Sequence, residues 1–207
     1  MHPPKQARGH ARERDLIDAG LRLLQDRALD EITIEQVART AGCSVGNLYK
    51  RFAGKEAFLS VLVDAVRARL IGEIDGLADA LPGQHARLDR AVQQVVRFEL
   101  DVFTRYRGLM RGLTLHRLQH GALAGAGLRD VRARFQARAV EALLPLVTAD
   151  LSPPVARERL EFGLQVSLSS LIEKTLLDAV PRGDDGDAFV TRMSAMMVAH
   201  LRAPMVD

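Results

Sequence analysis

The stretch Thr33 to Lys55, TIEQVARTAGCSVGNLYKRFAGK, constrains this chain more than any other. Its spacing predicts two short helices joined by a tight turn. Thr33 with Gln36 three residues later has the form of a capping box, in which each side chain satisfies a backbone N–H left free at a helix start, so a helix is expected to begin at Ile34. Ile34, Val37, Ala38 and Ala41 recur at helical period and make one apolar stripe, and Gly42 supplies a left-handed residue that ends a helix at low cost. Ser44 suits the cap of a second helix over Val45 to Phe52, with Leu48 and Phe52 on one face and Asn47, Lys50 and Arg51 elsewhere. Two such helices around a glycine turn form a helix-turn-helix, whose second helix enters a DNA major groove. The same pattern is open to a plain helical hairpin on any all-α domain.

The block IxQVAxxAGCSxGNLYKRFxxKEAFL decides between them, because it resembles the DNA-binding segment of the TetR family of bacterial transcriptional repressors over roughly Leu16 to Leu62. Departures from the family pattern are Ala28 for the usual Gly, Cys43 for Val, Arg51 for His, and Gly54 where a capping Ser, Asn or Asp is usual. The resemblance implies that Val45, Asn47 and Lys50 meet base edges. Asn pairs with adenine, Lys with guanine, and Val touches a thymine methyl. It implies that Thr33, Ser44, Gly46, Tyr49 and Lys55 hold phosphates, Gly46 because its missing side chain lets the backbone come close. Leu48 and Phe52 go to the core, and Arg51 could serve either purpose.

Composition is consistent with a soluble regulator and argues little by itself. The 207 residues are 47% apolar, enough for one domain or two small ones with real cores. Net charge is only +3, so placement rather than bulk points to nucleic acid. Three of the four lysines, Lys5, Lys50 and Lys55, fall in the first 55 residues, and Lys5, Arg8, Arg12 and Arg14 form a basic arm over residues 1–11 and just beyond. Such an arm either reaches phosphates or an adjacent minor groove, or is a solvated tail. The start MHPPKQARGHARERD has no apolar core segment after its charges, and the uncharged run 162–172 is far short of the roughly 20 residues that span a bilayer. A cytoplasmic protein without membrane contact is expected. The lone Cys43 excludes an intrachain disulfide and suits packing better than redox sensing.

Beyond the motif the reading is all-α. Arg12 to about Arg27 forms a first helix, with Leu16, Gly20, Leu23 and Leu24 inward, that closes a three-helix DNA-binding domain over residues 12–58. Residues 59–207 form a helical effector-binding and dimerisation domain. Lys55 to about Leu81 reads as one long helix linking the two. From Leu88 to Tyr106 the residues Leu88, Val92, Val95, Val96, Val102, Phe103 and Tyr106 cover one arc, and Glu99 falls in its middle. A carboxylate there needs a partner. Either one of the chain's many arginines pairs with it, or it lines a pocket and meets a cationic or hydroxylated ligand. Phe98, Glu99, Phe103, Met110, His116, Phe135 and Leu168 are the candidate lining. His116 and His120 have the spacing of a helical metal pair but no third ligand, so no metal and no cofactor are expected.

Further helices are expected over Gly108 to Leu118, over Leu128 to Leu144 with Pro145 as a kink or early end, from Ser152-Pro153 onward, and over about Asp187 to Arg202; GALAGAG, 121–127, reads as a connector. The run FGLQVSLSSLI is uncharged on every face, and the last helix shows a wide apolar face. Together they imply a homodimer interface at Phe162, Gly163, Val166, Ser170, Phe189, Met193, Met196 and Met197, or coverage by other helices of the same subunit. No catalytic order of nucleophile and base is visible, so an enzyme is not expected. The expected function is a ligand-responsive repressor that binds a palindromic operator on double-stranded DNA as a homodimer and is released by a small-molecule effector. An activator of the same fold, or a ligand-binding dimer without DNA function, is the alternative.

Overall fold

A computed structural model describes residues 5–25, 27–81, 87–120, 128–148, 151–177 and 179–204. Every regular element among them is helical: α1 (Lys5–Leu23), α2 (Ile34–Thr40), α3 (Val45–Tyr49), α4 (Lys55–Ala80), α5 (Leu88–Arg105), α6 (Arg107–His120), α7 (Arg129–Val147), α8 (Pro153–Leu176) and α9 (Gly183–Arg202). None of these helices is long and apolar enough to cross a membrane. The chain divides into two compact units. The first comprises Met1–Ala68 and Tyr106–Gly127, the second Arg69–Arg105 and Leu128–Asp207. α4 therefore starts in one unit and finishes in the other, and a segment from the middle of the sequence returns to the first.

The first unit is built around Leu16, Ala19, Leu24, Val37, Leu48, Phe58 and Leu62, all fully or almost fully buried. Gly20 lets α1 approach α4 closely: a Cβ there would lie 3.0 Å from the Phe58 ring and 3.1 Å from Leu62. Phe52 meets Phe58 edge to face with centroids 5.1 Å apart, a favoured aromatic geometry. The arm expected to be loose over residues 1–11 is instead helical from Lys5. Gln6, Ala7, Arg8 and Ala11 are strong helix formers and carry α1 through the weaker Gly9, and it ends four residues before the expected Arg27. The basic arm's Lys5 and Arg8 side chains lie outside the described residues.

In the second unit α5 packs mainly on α9, while α8 packs on α7 and α9. The core is formed by Val92, Val95, Val96, Leu143, Leu160, Leu171 and Val190 among others. α7 runs through Pro145 to Val147 where a kink or early end was expected. The ring removes one N–H and frees the carbonyl of Glu141, but Glu141 and Pro145 are both exposed, so water can serve that carbonyl. α9 begins at Gly183, four residues before the expected Asp187. Gly183 has φ +52°, and Asp184 and Asp185 place negative charge on the first turn, where the helix dipole favours it.

An ion-pair ladder ties the far half of α4 to α5 and α7. Arg134 grips both oxygens of Asp75, at 3.1 and 2.6 Å, and Arg138 reaches Asp75 at 3.5 Å and Asp79 at 3.1 Å. Arg105 donates to Glu73 at 2.6 Å. The Arg134 guanidinium holds the Asp75 carboxyl below the usual carboxylate range. At the other end of the unit, Arg159 on α8 donates to the carbonyls of His200, Leu201 and Ala203 and so satisfies the C-terminus of α9.

Candidate functional site

The helix pair of the first unit is fixed by backbone chemistry that the sequence specifies residue by residue. The Thr33 N–H donates to Gln36 Oε1 at 2.9 Å and the Gln36 N–H donates to Thr33 Oγ1 at 3.3 Å, completing the capping box. At the other end of α2, Gly42 has φ +64°, its N–H donates to Arg39, and the Cys43 N–H donates to Ala38 at 2.9 Å. These two bonds are the Schellman closure, which satisfies two carbonyls that a helix end leaves free. Cys43 itself is half-buried, and its amide is part of the turn.

α3 is shorter than expected, ending at Tyr49 rather than Phe52. The Arg51 N–H turns back to Leu48 at 2.9 Å, a tightening that swings Phe52 into the core. Ser44 occupies the cap position but makes no side-chain cap bond, as does Ser152 ahead of α8. The Ser44 hydroxyl is thus left exposed. Gly54, read as a replacement for a capping polar residue, has φ +118°, so a glycine is what its backbone requires.

Of the eight residues expected to touch DNA, Thr33, Ser44, Gly46, Tyr49 and Lys50 are exposed and Val45, Asn47 and Lys55 half-buried, while Leu48 between them is fully buried. Tyr49 is 56% exposed, unusual for so large a ring. Around Gly46 there is open space, with the nearest atom to an added Cβ being Ser44 Oγ at 3.9 Å. Two of the eight have other partners. The Thr33 hydroxyl serves the capping box, and Lys55 Nζ donates to the Asp30 carbonyl at 2.8 Å, which leaves its ammonium two further hydrogens. Arg51 donates to the Asn47 carbonyl at 3.1 Å.

Sequence reasoning missed Gly108 and Gly112 on α6. The Gly108 N–H donates to the Leu24 carbonyl at 3.0 Å, and a Cβ on Gly108 would lie 1.7 Å from the Arg27 oxygen. One turn later a Cβ on Gly112 would lie 3.0 Å from Leu29 Cβ. The start of α6 thus abuts the backbone that leaves α1, and only glycine fits at 108. Two glycines at i, i+4 on a helix were the available signal.

In the second unit, Glu99 is 4% exposed and its partner is not an arginine. Ser167 Oγ on α8 donates to Glu99 Oε2 at 2.5 Å, and Glu99 Oε1 is buried with no partner among the described residues. Burial pushes the Glu99 carboxyl up to about 8, against a smaller opposing pull from the Ser167 bond. The acid is therefore protonated near neutral pH. Phe98 stacks on Phe135 with centroids 5.6 Å apart, Phe103 is buried on the Glu99 face, and Leu168 is half-buried. Met110 belongs to the first unit, and the side chain of His116, like that of His120, lies outside the described residues. The connector 121–127 also lies outside them.

The proposed dimer residues divide in two. Gly163 and Met197 are buried against each other within one chain, a Cβ on Gly163 meeting Met197 Cε at 3.3 Å, so the α8–α9 contact of the subunit itself uses them. Phe162 and Met196 are 58% and 44% exposed, and Val166, Ser170, Phe189 and Met193 are half-buried. Phe162 leans on the His200 ring at 5.1 Å. Phe189, Met193 and Met196 also line an open groove of about 720 Å³ with Lys174, Arg182 and Arg192, and none of the candidate pocket residues lines it.

Residues 16–62 match the sequence model of the bacterial regulatory proteins of the tetR family. Over 73 residues the chain is 37% identical to the uncharacterized HTH-type transcriptional regulator YwcC of Bacillus subtilis, a match that covers 34% of this chain and only 33% of that protein. Over 190 residues it is 24% identical to the HTH-type transcriptional regulator EthR of Mycolicibacterium smegmatis, covering 87% of this chain and 80% of that one. Among solved structures, a TetR-family transcriptional regulator from Mesorhizobium loti superposes with a TM-score of 0.71 at 18% identity, covering 94% of this chain and 96% of that one. FadR of Bacillus subtilis in complex with stearoyl-CoA gives 0.60 at 14% identity, covering 90% and 98%. The two structural likenesses speak to the fold.

Proposed function

We propose that this TetR-family transcription regulator is a ligand-responsive repressor, binding a palindromic operator as a homodimer in the cytoplasm and released by a small-molecule effector. The observation that carries the reading is the face of α3. Ser44, Gly46, Tyr49 and Lys50 are exposed along and beside α3, which follows a turn fixed by the Schellman closure of α2, itself started by a capping box, while Leu48 anchors the back of α3. A rigid scaffold that offers an amide, a cation and a glycine backbone on one short helix suits groove reading.

Roles divide by chemistry. Val45, Asn47 and Lys50 read base edges, whereas Thr33, Ser44, Gly46, Tyr49 and Lys55 position the unit on phosphates. Two copies of α3 must meet major grooves one helical turn apart, about 34 to 36 Å, so the operator mirrors the dimer. The exposed part of the α8–α9 face, Phe162, Val166, Ser170, Phe189, Met193 and Met196, is the surface proposed to join the subunits. The effector occupies the second unit, near Phe98, Glu99, Phe103, Phe135 and Leu168. Met110 and His116, in the first-unit segment, are kept as candidates at the same level. An effector that favours the DNA-incompetent state by about 1 to 3 kcal/mol lowers operator affinity roughly 5- to 150-fold, with α4, common to both units, as its route.

Selection of bound DNA from a randomised palindrome library tests this, followed by titration of two variants on the selected operator. Asn47→Ala is expected to lose about 1 to 3 kcal/mol on operator and nothing on random DNA. Lys55→Ala is expected to weaken both alike and to reduce the salt slope by about one. Failure to enrich any sequence, or a strictly monomeric protein, sinks the repressor reading.

A further inference from the structure

We propose that Glu99 and Ser167 form the polar end of the effector site, and that the effector offers them a neutral hydroxyl-type head on an apolar body, not an ammonium or a carboxylate. This rests on the reading that the second unit holds an effector, and it deepens that reading by naming the ligand's chemistry.

The argument starts from an oxygen without a partner. Glu99 Oε1 is buried and unpaired among the described residues, and an unpaired buried polar atom loses the hydrogen bonds water would give it. Among the described residues only the Ser167 hydroxyl serves the carboxyl, through Oε2. The surroundings are apolar on both helices. Val95, Val96, Val102 and Phe103 flank Glu99 at one turn on either side, and Leu164 and Leu171 flank Ser167 on α8; all six are buried. Nothing in that list could compensate the free oxygen.

Counting donors and acceptors selects the ligand class. One free carboxyl oxygen matches a group with one donor and one acceptor, as a hydroxyl has. An ammonium brings three donors and finds at most two acceptors in this pair, and it would have to strip the proton from an acid that burial keeps neutral. A carboxylate brings acceptors only, and no cation contributes to the titration of Glu99. The apolar flanks select the body of the ligand.

The test compares three probes with one alkyl chain, 1-octanol, octanoate and octylammonium, by thermal shift and calorimetry on the full chain at pH 6 to 7.5. Octanol is expected to raise the melting temperature most. Its affinity should fall roughly tenfold in Glu99→Leu, survive in Glu99→Gln, and stay flat over that pH range. Ser167→Ala should weaken it less, and it is the informative variant if Glu99→Leu does not fold. A cation that displaces the proton would instead bind about tenfold more tightly per pH unit. The proposal is overturned if octanoate or the ammonium shifts the melting temperature as much as octanol does, if octanol binds Glu99→Leu undiminished, or if none of the three binds. A wild-type chain that binds octanol as described yet enriches no operator would remove the repressor reading and leave this site standing.

Discussion

The two units keep their polar chemistry in opposite places. In the first, polar groups with work to do stand on the outside of α3, and the inside is Leu16, Val37, Leu48 and Phe58. In the second, the exceptional polar group is inside, Glu99 on α5 against Ser167 on α8, while the outside carries ordinary ion pairs such as Arg134–Asp75. The surface proposed to match DNA uses side chains that cost little to expose. The site proposed for a small molecule holds its polar atoms where water does not compete, and on that reading the fold bears a penalty until a ligand comes.

The contrast can be broken most forcefully at Gly108. Gly108→Ala puts a Cβ into the Arg27 carbonyl and cannot be relieved by a side-chain rotation. We expect a loss of more than about 3 kcal/mol in thermal unfolding, together with operator binding, since the damage falls on the first unit. A variant that melts like the parent would mean that α6 does not seat on the α1 exit.

Next in size is the pH dependence that Glu99 imposes. Its folded value lies at about 8, above the ordinary 4.5 of the unfolded chain. Between these values the unfolded chain has released a proton that the folded chain keeps. Stability therefore falls by about 1.4 kcal/mol per pH unit from near 4.5 up to about 8 and levels off above. Glu99→Gln should flatten this slope and be the more stable form at pH 7, which denaturant titrations across pH 5 to 9 would resolve. Equal slopes in parent and variant would remove the buried neutral acid from the account.

Smaller effects separate positioning from folding within the first unit. Gly46→Ala meets open space and replaces a helix-weakening residue, so stability should rise by up to about 1 kcal/mol while operator affinity drops. If affinity holds, Gly46 does not lie against a phosphate. Thr33→Ala should cost about 1 kcal/mol of stability by opening the capping box, whereas Ser44→Ala, at a cap position whose hydroxyl makes no cap bond, should cost close to none and affect only DNA binding.

What the sequence disclosed follows the same division. The turn at Gly42, the start of α2 and the burial of Leu48 and Phe52 were legible because local rules govern them: a cap, a left-handed glycine, a stripe of period 3.6. The wheel also placed Glu99 inside correctly. It could not name the partner, since an arginine and a serine 68 residues away are equally invisible to a one-helix pattern. The division of the α8–α9 face was hidden for a related reason: Gly163 and Met197 look the same in sequence whether they meet each other or a second subunit. The ends of elements were misplaced, where α1 extends to Lys5 and α9 to Gly183.

The bond from the Gly108 amide to the Leu24 carbonyl joins residues 84 apart, so the first unit is not a contiguous piece of polypeptide. A fragment released after α4 would emerge with that carbonyl bare and the seat of α6 exposed. During synthesis Leu24 must wait for the 84 residues up to Gly108 before this contact can close, and the first unit cannot be obtained whole by trimming the chain from its end.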